Sequence, residues 1–152
     1  MPLASFGWQQ VLDAVVSIVA AYLLALPLAF ERKVRAASDV GFRTVPLVSV
    51  GACGYLLITR WLHDAGVYDT DGLGRTLRAV MTGIGFIGGG AIVKQTSDAH
   101  ALATGAAVWS AGAIGASVAH GHYVIALVLG STNVLLLDIQ RRLEARALRR
   151  AS

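Results

Sequence analysis

The chain has 152 residues, of which 55% are hydrophobic and only 14% are charged, and its mean hydropathy is +0.62. A soluble domain of this size carries a larger charged surface, so the composition excludes a soluble enzyme. The net charge is +4, but the basic residues stand beside long apolar runs. We therefore expect an integral membrane protein of a bacterial inner membrane, without a nucleic-acid partner.

Apolar runs predict five short transmembrane helices, at about 8–30, 44–59, 79–93, 101–119 and 123–137. The first run ends without a small-residue cleavage site, so it is predicted to be an uncleaved span and not a signal peptide. The predicted fold is all-α, with a compact helical bundle over 1–137. A short basic helical tail is expected over 138–152, with no C-terminal soluble domain.

The distribution of positive charge predicts the orientation of the bundle. If the first loop is cytoplasmic, ten of the thirteen Lys and Arg residues lie on the cytoplasmic side. The three on the opposite side are Arg60, Arg75 and Arg78. The positive-inside rule therefore places the N-terminus outside and the C-terminus in the cytoplasm.

The fourth span has a pattern that is typical of close helix packing. Small residues recur every four positions, which places them on one face of the helix: Ala103, Ala107, Ala111, Gly115 and Ala119. In lipid, such a ridge lets two helix backbones approach closely and gain dispersion contacts. We expect the third span to lie along this ridge.

The third span is rich in glycine, with Gly83, Gly85, Gly88, Gly89 and Gly90 within eight positions. Gly85 and Gly89 form a small-xxx-small pair, which favours tight helix packing. An unwound glycine backbone that lines a site near the membrane centre is the alternative. The letters also match GxGxxG, but no strand is predicted before them and no acidic residue follows at the right spacing. Nucleotide binding is therefore not expected.

Few ionisable residues fall within the predicted spans. Asp13 lies in the first span, where it either carries a function or faces the lipid headgroups. Glu31 and Arg32 end that span after Pro27, and a proline kink could turn them toward Arg43 to form a charged cluster. Ordinary anchoring at the membrane interface is the alternative for this group.

The sequence shows no catalytic or metal-binding arrangement. No pair of carboxylates and no nucleophile with a general base stands at mid-membrane depth. His120 and His122 offer two possible metal ligands without a third. We therefore expect no enzymatic activity, no catalytic residue, no metal and no cofactor.

Four ordered motifs resemble the MgtC/SapB family of bacterial inner-membrane proteins, across roughly 26–137. They are LAFER at 28–32, GFRT at 41–44, TGIGFIGGGAIVK at 82–94 and LATGAAVW at 102–109. The resemblance implies that the partner-binding or structural residues lie within these motifs. They are Glu31, Arg32, Gly41, Arg43, Thr44, Gly83, Gly85, Gly88, Gly89, Gly90, Thr104 and Trp109.

The resemblance implies a small membrane protein linked to growth under magnesium limitation and, in pathogens, to virulence. It further implies a regulator that binds other integral membrane proteins, including the proton-translocating ATP synthase or a transporter, and that could form homo-oligomers in the bilayer. A small oligomeric transporter or channel for Mg²⁺ or another cation is the alternative, with Glu31 and Asp13 near its pathway. A module that assembles only with itself is a third possibility.

Overall fold

A computed structural model describes residues 7–36, 39–93 and 98–151. Five α-helices contain most of these residues: α1 (Trp8–Ala36), α2 (Asp39–Asp64), α3 (Thr70–Val93), α4 (Asp98–Ala119) and α5 (Tyr123–Ala151). The described ranges contain no strand, and each helix is long and apolar enough to cross a membrane. The predicted all-α fold is confirmed. The orientation of the termini stays a prediction.

The helices are longer than the apolar runs, because polar turns continue them beyond the hydrophobic core. α3 begins at Thr70, whereas its apolar run begins at 79. Asp69 caps this start, since its Oδ1 atom accepts a hydrogen bond of 2.7 Å from the backbone N–H of Gly72. At the other end of the chain, α5 continues without interruption into the residues of the predicted basic tail.

Two of the connections are tight turns closed by glycine. Gly66 (φ 70°) follows α2 and Gly121 (φ 75°) follows α4, both in the left-handed region that other residues adopt only with strain. After α4, the backbone N–H of His122 donates a hydrogen bond of 2.8 Å back to the carbonyl of Ser117. Turns this short make α2 antiparallel to α3, and α4 antiparallel to α5.

α4 is the central helix of the bundle and packs against each of the other four. Two clusters of buried side chains hold it against α1 and α2, and a third joins it to α2 and α3. α3 and α5 are mostly exposed on the outside of this group. The third cluster consists of Ala52, Ile84 and Val108.

The small-residue ridge of α4 packs closely, but its partner is not α3. Ala107 packs with buried residues of α1 and α2. Gly115 lies so near α2 that an added Cβ would overlap the backbone of Ser49. α3 packs instead on a neighbouring face of α4, where a Cβ on Gly88 would come within 3.2 Å of the Gly105 carbonyl oxygen. The prediction was wrong because a repeat of small residues marks a packing face without identifying the helix that covers it.

Replacing Gly115 with Ala is expected to lower the free energy of unfolding by about 1–3 kcal/mol, because the added methyl group forces α2 and α4 apart. Gly89→Ala is the matched control, since nothing lies within 4 Å of the Cβ position there. Unfolding of the detergent-solubilised variants, followed by circular dichroism, measures the difference. Equal stability of the two variants would contradict the close packing of α2 on α4.

Candidate functional site

Most residues of the four motifs lie toward one end of the bundle. At this end, which we call the Glu31 end, α1 and α3 finish and α2 and α4 begin. The rings of Phe30 and Phe42 meet edge to face there, with centroids 5.0 Å apart. Lys94, the last residue of the third motif, lies outside the described residues. The motif residues toward the Glu31 end are Glu31, Arg32, Gly41, Arg43, Thr44, Gly88, Gly89, Gly90 and Thr104.

Arg32 is buried at the Glu31 end although it carries a full charge. Only 2% of the residue is exposed, and its Nε atom donates a hydrogen bond of 2.9 Å to the Oε2 atom of Glu31. The two neighbours therefore neutralise each other where a lone charge would be costly. α1 remains helical through Pro27. Arg43, which the sequence offered either as a member of this cluster or as an interfacial anchor, is exposed.

A second ion pair, not predicted from the sequence, lies at the opposite end of the bundle. A carboxylate oxygen of Asp13 in α1 accepts a hydrogen bond from Nη2 of Arg60 in α2. The Nη1 atom of Arg60 donates a further hydrogen bond of 2.6 Å to the backbone carbonyl of Ala119, the last residue of α4. One guanidinium group thus joins three helices and also satisfies a carbonyl at a helix end.

From the sequence alone, Asp13 is a single acid within the first span and Arg60 is a cation on the predicted outer side. The order of the helices could have predicted this contact. In an antiparallel pair, the start of α1 and the end of α2 lie at the same end of the bundle. The third participant is a backbone carbonyl, which no side-chain pattern can reveal. The contact between Asp13 and Arg60 was therefore predictable in part.

A double-mutant cycle tests this ion pair. We expect Asp13→Asn and Arg60→Gln each to lower the free energy of unfolding, and the double variant to lose about 1 kcal/mol less than their sum. The expected coupling is modest because 39% of the Asp13 side chain and 27% of the Arg60 side chain are exposed. Additive losses in detergent unfolding would contradict a direct interaction.

Uncharged polar side chains also join helices inside the bundle. The hydroxyl of Ser49 in α2 donates a hydrogen bond of 2.9 Å to the carbonyl of Ala21 in α1. The hydroxyl of Ser110 in α4 donates one of 3.2 Å to Asn133 in α5. These bonds have a structural role. Among the described residues, no three His, Cys, Asp or Glu side chains come together as metal ligands would.

The five glycines of the third motif, all in α3, are mostly open. α3 is a continuous helix through all five of them, so the alternative of an unwound glycine backbone is wrong. At Gly83, Gly85, Gly89 and Gly90, an added Cβ would meet nothing within 4 Å. Gly88 alone among the five contacts another helix, at Gly105 of α4. The glycine density therefore exceeds what packing within this chain requires.

Two of the open glycines share an exposed surface with larger side chains. We define the outer face of α3 as Thr82, Gly85, Phe86 and Gly89, which lie three or four positions apart on one side of the helix. Phe86 is 83% exposed beside the two glycines. Trp109 of α4 is 52% exposed and lines a cleft next to this face, together with Thr82. The face therefore combines a shallow backbone surface with protruding aromatic rings.

These features define a polytopic membrane protein with five transmembrane helices and paired charges at both ends of the bundle. The chain belongs to the MgtC family, whose family model matches residues 18–146. This confirms the family resemblance that the four motifs indicated. The match covers parts of all five helices.

Curated relatives agree with this assignment. The chain is 30% identical over 149 residues to "Protein MgtC" of Brucella abortus, covering 95% of this chain and 60% of that protein. It is 26% identical over 138 residues to "Putative magnesium transporter YhiD" of Escherichia coli K12, covering 88% and 63%. For "Protein MgtC" of Salmonella typhimurium the identity is 29% over 133 residues, covering 85% and 54%.

The chain thus spans less than two thirds of the length of these curated relatives. No solved structure matches it. The family match and the name of the Escherichia coli relative support a membrane protein with a role linked to magnesium. The activity of the whole protein does not follow from these matches.

Proposed function

We propose that this protein is a non-enzymatic regulator in the bacterial inner membrane, which docks the outer face of α3 on a transmembrane helix of a larger membrane complex. The observation that carries this proposal is the pair of Gly85 and Gly89, at whose Cβ positions no described residue of another helix lies within 4 Å. Such pairs are a common interface between transmembrane helices, because they let two backbones come into contact. Phe86 on the same face and Trp109 beside this face would contact the partner next to the two glycines.

The charges within the bundle favour a regulator over a cation transporter. The acidic side chains of Asp13 and Glu31 are both paired with arginines. A cation pathway needs carboxylate or carbonyl oxygens that are free to replace the water around the ion. Because an arginine already neutralises each carboxylate, neither carboxylate attracts a passing cation as an unpaired one would. Both carboxylates are therefore poorly suited to a cation pathway, and the Asp13–Arg60 pair instead joins α1 to α2.

Family membership links the proposed regulation to magnesium. The Escherichia coli relative carries the words magnesium transporter in its name. In the proposed role, this protein responds to magnesium limitation or related stress, including stress during infection, by changing the activity of the complex to which it docks. The ATP synthase and a magnesium transporter are the complexes that we would examine first.

We expect Gly85→Leu to reduce capture of the partner complex by about tenfold or more, because the leucine side chain separates the two helix backbones. In-cell crosslinking of the tagged protein at native abundance, followed by mass spectrometry, measures this capture. Gly54→Leu in α2 is the matched control, since the Cβ position there also has nothing within 4 Å. Both variants should insert equally well. Undiminished capture by Gly85→Leu would contradict docking through the outer face of α3.

A cation transporter or channel is the second candidate function, which the name of the Escherichia coli relative favours. On that account, purified protein in liposomes would carry Mg²⁺ or another cation across the membrane. Glu31→Gln would abolish the flux if the Glu31 carboxylate lies on the pathway. The regulator proposal predicts no flux above that of empty liposomes for the unmodified chain.

A further inference from the structure

An apolar groove of about 640 Å³ lies between α2 and α3. Ala52 and Ile84 line its floor, where they pack against Val108 of α4. Leu47 and Tyr55 line its α2 side and are 64% and 67% exposed. The groove is therefore an open channel along the surface of the bundle and not an enclosed cavity.

Two glycines keep this groove open. Gly51 of α2 and Gly83 of α3 both line it, and an added Cβ at either position would meet nothing within 4 Å. The two helices are held together behind the groove by Ala52 and Ile84. The space in front of them is consequently available to a ligand without any movement of the protein.

The groove is about half a membrane long. On α2 its lining extends from Thr44 to Tyr55, and on α3 from Ile87 back to Thr76. At ~1.5 Å per residue, each of these stretches is about 16 Å of helix. The hydrocarbon core of a bilayer is ~30 Å thick, so each stretch is about half of it. An acyl chain of one lipid has this reach.

One end of the groove lies next to a cation. Thr44 lines this end, and Arg43 precedes it in α2 and is exposed. Arg43 also lies one helical turn before Leu47, which places it on the groove side of α2. A guanidinium group binds phosphate oxygens through two parallel N–H donors, and the Thr44 hydroxyl is a further donor. At the other end, Arg75 lies one helical turn before Ala79 and is paired with Asp69 at 3.4 Å. Among the described residues Arg43 has no such carboxylate partner, so the Thr44 end is the one with a cation available to a phosphate.

We infer that this groove binds one anionic phospholipid, with an acyl chain between α2 and α3 and the headgroup phosphate at Arg43 and Thr44. Arg43 belongs to the Glu31 end, which the positive charges predict to be cytoplasmic. The ligand would therefore come from the inner leaflet, whose surface is rich in anionic lipids. The inference is independent of the proposed docking, because Gly85 and Gly89 are not among the residues that line the groove.

Lipid retention tests the headgroup contact. The full chain is reconstituted in vesicles with equal amounts of phosphatidylglycerol and phosphatidylcholine, extracted in mild detergent, and its retained lipids are counted by mass spectrometry. We expect phosphatidylglycerol to be enriched about fivefold, at close to one molecule per chain. Arg43→Gln should bring the ratio of the two lipids near unity, whereas Arg43→Lys should keep part of the enrichment.

A second pair of variants tests the groove itself. Gly83→Leu places a side chain in the groove from a position where an added Cβ meets nothing within 4 Å, and it should lower the retained lipid about tenfold. Gly54→Leu in α2, which does not line the groove, should retain as much lipid as the unmodified chain. Equal retention of the two lipids by the unmodified chain would overturn the inference, as would normal retention by Arg43→Gln or by Gly83→Leu. When the chain is purified from native membranes instead, a copurified protein that is lost with Gly83→Leu would assign the groove to a partner helix and also overturn the inference. If Gly83→Leu does not fold, the Arg43 variants decide.

Discussion

The close approach of helix backbones at α4 is the constraint on which the rest of this structure depends. Helices in lipid gain little from burying apolar surface, so their association relies on dispersion contacts that need short distances between backbones. Gly115 supplies such a contact with α2, and Gly105 supplies one with Gly88 of α3. A residue with a side chain at either position would move a neighbouring helix outward. α4 can therefore occupy the centre and contact all four other helices.

The central position of α4 determines which faces of the other helices are exposed to the membrane. Because α1 and α2 cover the ridge of α4, α3 is held at the side through Gly88 and Ile84. The other four glycines of its motif then face outward or toward the groove beside α2. The outer face and the groove are thus two consequences of one packing arrangement, and each presents a different surface. One is a backbone surface suited to a helix, and the other is an apolar channel suited to a lipid.

The ion pairs add specificity to this packing. Small residues alone would permit several registers between two helices, because each turn of the helix presents a similar surface. Arg60 joins Asp13 to the end of α4, and Glu31 pairs with the buried Arg32 at the other end of α1. An unpaired charge in the wrong register would be costly in lipid. The Glu31–Arg32 pair lies within α1 and neutralises a buried charge there, whereas Arg60 joins different helices. We infer that the contacts of Arg60 favour one register of α2 against α1 and α4.

Much of the fold was predictable from the sequence, because apolar runs of sufficient length have few alternatives in a membrane. The number and order of the five helices followed from them. The partner of the α4 ridge did not, since Ala107 and Gly115 mark a close contact without indicating whether α2 or α3 makes it. The burial of Arg32 and the exposure of Arg43 could not be predicted either, because in the sequence both are arginines beside an apolar run.

Helix packing also determines which motif residues can act together. Gly85 and Gly88 are only three positions apart, yet one is open and the other touches Gly105. Nothing in the glycine-rich motif distinguishes them before the position of α4 is known. The groove beside Gly83 depends on the spacing of two helices and was likewise not predictable. Sequence thus identified the candidate residues, and the arrangement of the helices separated their roles.

Site-specific photocrosslinking in cells tests the central claim most directly, namely that α3 is left exposed in order to dock. A photoreactive amino acid replaces Phe86 on the outer face of α3, or Leu136 on α5, where 52% of the residue is exposed. The account predicts that position 86, but not position 136, yields a discrete adduct with one larger membrane protein. Identical products from both positions, or adducts from position 86 that contain only copies of this chain, would contradict it.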